Sequence, residues 1–171
     1  MSHEEHHSFT PFELTGNRKE DDISLISTLR AYCEPSNGSL RILYSSLSNV
    51  AALLGWYLKN INWVGFYLAE GDTLILGPFH GLPACTQIKI GKGVCGLCFQ
   101  EMKQINVKNV HEFPGHIACD SASNSELVTP IIKDGKFIGL LDIDSPHLEH
   151  FTLDDDKLCQ EICKILSDVC F

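Results

Sequence analysis

The sequence predicts an α+β domain, a central and mainly antiparallel β-sheet flanked by α-helices. Two observations carry this. Hydrophobic periodicity gives two helices, about three strands, a short helix, about three strands and a closing helix, with no regular βαβ alternation. Two pairs of strand patterns are joined by short glycine-containing turns, Glu70-Gly71-Asp72 and Lys133-Asp134-Gly135-Lys136, as antiparallel hairpins require.

The elements follow in order. Residues 1–17 are polar, with His3, His6 and His7, and are expected to form a flexible tail ahead of a single domain over 18–171. Between 18 and 33, Ile23, Leu25, Ile26, Leu29 and Tyr32 fall at helical spacing, and Pro35 and Gly38 end that helix. Leu43, Leu47, Val50, Leu54 and Tyr57 make one apolar stripe on a second helix. Strands are expected at 63–68, 73–76 and 86–90, a short helix at 94–102, and a brief strand at 104–107. A long loop spans 108–124. The second hairpin follows, with strands at 126–132 and 137–144. The last helix starts near Thr152 and turns Leu158, Ile162, Ile165, Leu166 and Val169 to the core. Asp154, Asp155 and Asp156 sit in its first turn, where the helix dipole favours negative charge.

The chain has 171 residues, the size of one domain able to bury a real core. Its formal net charge is −9, with no cluster of Lys and Arg, which argues against nucleic acid or an anionic membrane surface as partner. No apolar run reaches the ~18–20 residues of a membrane span. The first ten residues do not read as a secretory signal, so a cytoplasmic, reducing location is expected. There the eight cysteines are thiols, metal ligands or catalytic groups rather than a disulfide scaffold.

The loop at 108–124 carries His111, His116, Cys119, Asp120 and several serines, and leads directly into a strand beginning with Glu126. Long irregular loops in small domains are often functional. Reduction of a sulfoxide needs such a set. A thiolate attacks the sulfur, a nearby acid protonates the departing oxygen, and a second thiol resolves the resulting sulfenic acid. Cys119 and Glu126 offer a nucleophile and an acid, provided that the apolar strand desolvates the carboxyl. A solvated Glu at a strand start is the competing reading. Asp142 and Asp144, two apart on a strand, share a face and suit an ammonium group, or simply face solvent. Trp63 and Tyr67 also share a face, as a pocket wall or as core.

Five runs then carry a resemblance: Trp63-Val64-Gly65-Phe66-Tyr67, the stretch 76–85 ending in Pro83-Ala84-Cys85, Gly91-Lys92-Gly93-Val94-Cys95-Gly96, the stretch 113–120 around Cys119, and Leu141-Asp142-Ile143-Asp144-Ser145. From about residue 20 onward the chain resembles the free methionine-(R)-sulfoxide reductases, which are single GAF domains. The resemblance implies a GAF-like fold and reduction of free L-methionine-(R)-S-oxide to methionine. It implies Cys119 as the attacking thiol, Cys85 as the first candidate to resolve it, and Cys95 as another resolving or relay thiol. Glu126 would bind the sulfoxide oxygen, Asp142 and Asp144 the amine, and Trp63 and Tyr67 would surround the methyl group. Backbone amides of Ile117, Ala118 and Cys119 would take the carboxylate. The resemblance implies no bound cofactor or metal. The reductant would be external thioredoxin, fed indirectly by NADPH, and a homodimer is allowed.

One departure is Cys98, where the family usually has a small residue; it leaves the final resolving thiol open. Two rivals remain. Cys85, Cys95, Cys98, His111, His116 and Cys119 offer zinc ligands, although no second close pair has good spacing. Many GAF domains only sense small ligands. Gly91-Lys92-Gly93 lacks the spacing of a phosphate loop.

Overall fold

The computed structural model describes residues 10–115 and 121–171. Its elements are α1 (Arg18–Tyr32), α2 (Leu40–Tyr57), β1 (Trp63–Glu70), β2 (Thr73–Gly81), β3 (Gln87–Lys89), α3 (Gly93–Glu101), β4 (Ile105–Val107), β5 (Ser125–Lys133), β6 (Lys136–Ser145) and α4 (Leu153–Val169). The strands form one sheet in the order β3-β2-β1-β6-β5-β4. Every neighbouring pair is antiparallel. This is the expected α+β architecture.

Strand alternation divides the sheet into two faces. Val64 and Phe66 of β1, Leu127 and Ile131 of β5, and Leu141 and Ile143 of β6 pack in one core with residues of α1, α2 and α4. Trp63, Tyr67, Val128 and Leu140 belong to a second, smaller core with Val94, Cys95 and Cys98 of α3. Three helices thus cover one face, and α3 with its connecting loops covers the other. The candidate site lies on this second side.

The elements owe their bounds to local chemistry. Ser39 caps α2, its side chain accepting from the amide of Ile42. Thr152 and Asp155 form a reciprocal capping box on α4, which also fixes the three aspartates in its first turn. Residues just before α1 are fastened to the domain. Phe12 packs edge-on against Trp56, and the buried Asp21 carboxylate accepts from the amide and hydroxyl of Thr15 and the amide of Gly16. Residues 1–9 of the expected tail lie outside the described residues.

Three local expectations change. The α1 stripe is narrower than its periodicity suggests: Leu25 and Leu29 are buried, but Ile23 is 69% exposed and Tyr32 is also outside the core. Strand β2 continues five residues past Leu76, through a stretch that reads as a turn. Gly65 pairs with Phe79 and Tyr67 with Leu76, so β2 places an extra residue opposite β1 in a bulge. Pro78 falls inside that irregularity, where a missing ladder donor is tolerated. The 108–124 loop also contains a 3-10 turn, Val110–Glu112, started by the Asn109 side chain accepting from the amide of His111.

Candidate active site

The register of three central strands sets out the site. Trp63 of β1 lies opposite Asp144 of β6, and Asp144 lies opposite Glu126 of β5. One pair further along, Gly65, Asp142 and Val128 form the next row on the same face. Residues far apart in sequence therefore converge because a six-stranded antiparallel sheet places β1, β6 and β5 side by side. Trp63, Tyr67, Cys95, Glu126, Asp142 and Asp144 line one pocket, together with Pro83, Ala84, Ile88, Lys92, Gly93, Val94 and Ser123.

The aromatic wall depends on a glycine. A Cβ on Gly65 would stand 2.3 Å from the Cβ of Phe79 and 2.6 Å from Cη2 of Trp63. With only hydrogen there, Trp63 stacks between Phe79 at 5.4 Å and Tyr67 at 6.1 Å. Both rings also carry a polar tip. Trp63 Nε1 donates to the carbonyl of Leu82 at 3.0 Å, and the Tyr67 hydroxyl donates to the carbonyl of Cys85 at 2.9 Å. The wall of the pocket thereby holds the segment that carries Cys85 beside it.

The floor comes from α3. Gly91 and Gly93 have φ of 75° and 62°, which makes the turn into the helix. Gly96 lets the helix approach closely, since a Cβ there would meet the carbonyl of Lys89 at 2.5 Å. The Gly91-Lys92-Gly93 run is thus a helix-entry turn. It brings the Cys95 thiol 3.3 Å from Oδ2 of Asp142 and 3.8 Å from Oε1 of Glu126.

Burial decides the protonation of these groups. Glu126 is 6% exposed and Asp142 is 7% exposed. Desolvation, reinforced by the charges of Asp142 and Asp144, lifts the Glu126 carboxyl well above its ordinary range. Desolvation also raises Asp142, to about 7, while bonds donated by Cys95 and Glu126 hold it below Glu126. The hydrogen bond between the two carboxyls raises Glu126 and lowers Asp142, which favours the proton on Glu126. The Cys95 thiol is raised by its own burial and then by the same two carboxylates, which keeps it protonated. Oδ1 of Asp142 is buried with no hydrogen-bond partner.

The solvated reading of Glu126 is thus excluded by its burial. Asp142 is buried and Asp144 half-buried, and both line the pocket. Cys85 is half-buried and disulfide-bonded, while Cys33, Cys95, Cys98, Cys159, Cys163 and Cys170 are free and buried. Since Cys95 and Cys98 are both free thiols, no bond joins them. Cys98 is a fully buried member of the α3-side core. Ile117, Ala118 and Cys119 lie outside the described residues, as does His116. His111 bonds to Asn124 at 2.7 Å rather than lining the pocket.

Sequence reasoning passed over Ser123, Ile88 and Lys92. Ser123 is buried, accepts from Asn62 Nδ2 at 3.0 Å, and is held beside the site where the long loop returns to the sheet. Its only signal was membership of a serine-rich loop. The rival cysteine–histidine zinc set is described only in part, since His116 and Cys119 lie outside the described residues. Among the described residues, the group whose donor atoms cluster within 4.8 Å is Cys95, Glu126 and Asp142.

A six-stranded antiparallel sheet with a pocket between its α3-side face and the connecting loops fits a GAF domain, and the GAF domain model matches residues 37–168. The chain belongs more narrowly to the free methionine-R-sulfoxide reductases, a family of oxidoreductases. It is 46% identical over 125 residues to the free methionine-R-sulfoxide reductase of Escherichia coli, covering 73% of this chain and 76% of that one. The structure of fRMsr of Staphylococcus aureus in its reduced form superposes with a TM-score of 0.79 at 47% identity, covering 86% of this chain and 94% of that one. The free methionine-R-sulfoxide reductase of Neisseria meningitidis in complex with its substrate superposes with a TM-score of 0.81 at 35% identity, covering 92% of each chain. No helix among the described residues is long and apolar enough to cross a membrane.

Proposed function

We propose that this protein reduces free L-methionine-(R)-S-oxide to L-methionine, with Cys119 as nucleophile and Glu126 as proton donor. The observation that carries the proposal is the convergence on one pocket of a buried Glu126, two further carboxylates and a stacked aromatic wall. Asp142 and Asp144 would take the substrate ammonium, and the partnerless Oδ1 of Asp142 is a ready acceptor for it. Backbone amides of residues 117–119 would take the carboxylate. A site that grips both termini leaves no room for a peptide chain. Trp63 and Tyr67 would enclose the methyl group.

In the chemical step the Cys119 thiolate attacks the sulfoxide sulfur and Glu126 gives its proton to the oxygen. The S–O bond of the substrate breaks, its oxygen stays on Cys119 as a sulfenic acid, and methionine, its sulfur reduced by two electrons, leaves. The Cys85 thiol then attacks that sulfur, forms the disulfide and releases water. The disulfide-bonded state of Cys85 supports this assignment. Cys85 is half-buried rather than buried, which would leave the bond within reach of an outside dithiol. Thioredoxin in the cytoplasm would supply that dithiol, drawing on NADPH, and the reaction needs no resident cofactor. Cys95, held protonated by burial and two carboxylates, is unsuited to attack.

The test is thioredoxin-coupled NADPH oxidation with resolved R and S free methionine sulfoxide and a peptide-bound sulfoxide. Turnover of the free R form alone is the expected result. Equal turnover of the peptide-bound form would refute the two-termini grip, and no turnover of any form would refute the activity.

A further inference from the structure

The three donors on the pocket floor suit another ligand besides a sulfoxide. We propose that Cys95, Glu126 and Asp142 form a tetrahedral site for a zinc-like divalent cation, which competes with the amino acid for the pocket. The binding part stands on geometry alone; the competition rests on the function proposed above.

The three donor atoms lie within 4.8 Å of one another, with all three residues buried. Sγ of Cys95 is 3.3 Å from Oδ2 of Asp142 and 3.8 Å from Oε1 of Glu126. A tetrahedral zinc ion with bonds of ~2.3 Å to sulfur and ~2.1 Å to oxygen sets its donors about 3.4–3.6 Å apart. The two sulfur–oxygen separations bracket that spacing, and the two carboxylate oxygens lie within 4.8 Å of each other, so small side-chain shifts would close the set around an ion. A second feature points the same way. Oδ1 of Asp142 is buried without any partner, so the carboxylate has acceptor capacity that the protein itself does not use.

The donor set also selects the ion. Magnesium and calcium prefer six or more oxygens, whereas one thiolate with two carboxylates in a compact cluster favours zinc and cobalt. Binding converts the Cys95 thiol to a thiolate and the raised Glu126 carboxyl to a carboxylate, and releases both protons to solvent, with no change of oxidation state. All three donors line the pocket together with Trp63 and Ser123, so a fourth ligand would come from the pocket. An ion there would occupy Asp142, the proposed acceptor of the substrate ammonium, and would withdraw Glu126 from proton transfer. The metal-bound form would therefore be inactive.

The experiment titrates Co²⁺ into the reduced, chelator-treated full chain and follows the near-ultraviolet thiolate-to-cobalt absorption. A band that saturates at one ion per chain and collapses on adding Zn²⁺ is expected. Cys95→Ser should abolish it, Cys98→Ser and Cys119→Ser should retain it, and Asp142→Asn should weaken binding at least about tenfold, the scale seen for weaker perturbations of metal sites. Free methionine should raise the apparent Kd for Co²⁺. No band, or a band that survives Cys95→Ser, overturns the site. A Cys95-dependent band with unaltered affinity in methionine overturns the competition. If the coupled assay shows no turnover while the Cys95-dependent band is present, the site stands and the reductase reading falls. Turnover without such a band refutes the metal site alone.

Discussion

Replacing Asp142 by Asn should disable the pocket and yet stabilise the fold above pH 7. Burial is the main cause that lifts this carboxyl from 3.8 to about 7. A folded pKa above the unfolded one means that the folded chain holds the proton more tightly. The linked stability is complete below about pH 4 and is lost as pH rises through 7. The shift of about three units, at 1.36 kcal/mol each, amounts to ~4 kcal/mol. Asparagine carries no charge to desolvate and escapes this loss. Its amide would sit where Oδ1 already lacks a partner, and an unpaired buried donor costs ~1–3 kcal/mol. The net gain is about 2 kcal/mol at pH 8, a rise in Tm of ~4–8 °C for a chain of this size. Thermal unfolding of both proteins at about pH 4 and pH 8, with chelator and reductant present, measures it. An unchanged Tm at pH 8, or the same difference at both pH values, would refute the claim that a buried charge is the cause. The same variant should bind free methionine sulfoxide much more weakly, because one of the two proposed ammonium acceptors has lost its charge.

Three further outcomes follow from the site. Glu126→Gln removes a transition-state proton, so kcat should fall ~10²–10⁴-fold with a smaller change in KM. In the wild type, kcat should decline as pH rises through the raised Glu126 pKa, and a rate unaffected by the substitution would remove Glu126 from the chemistry. Cys85→Ser should form methionine once per chain and stall with a sulfenic acid on Cys119, seen by mass spectrometry after trapping with a dimedone reagent. Sustained cycling would transfer resolution to Cys95 or Cys98. Gly65→Ala places a methyl group 2.3 Å from the Cβ of Phe79, so the wall must shift. Such overpacking costs ~1–3 kcal/mol. Both Tm and substrate affinity should drop, and an unchanged KM would show that the aromatic stack does not shape the pocket.

Much of the site was legible because strand parity is a local rule. Trp63 with Tyr67, and Asp142 with Asp144, share a face in any extended strand, and both pairs indeed line the pocket. The extension of β2 through Gly77, Pro78 and Gly81 was not legible, since these residues favour turns unless a partner strand supplies a bulge. The exposure of Ile23 has a similar origin. A helix stripe states which residues can be buried together, whereas the angle at which α1 meets the core decides how many are.

The sequence by itself determined the α+β element order, the two hairpins, the start of α4 near Thr152 and the family, because each is written in short-range patterning or in ordered motifs. The tertiary structure alone decided that Glu126 is buried with its carboxyl raised well above the ordinary range. That property depends on the exclusion of water and on Asp142 and Asp144 of the neighbouring strand, and it prevails over the opposing hydrogen bond from Cys95 on the helix laid over them. Desolvation and charge–charge repulsion act over a few ångströms of space whatever the distance along the chain. Only packing brings these groups, from three separate elements, within that range.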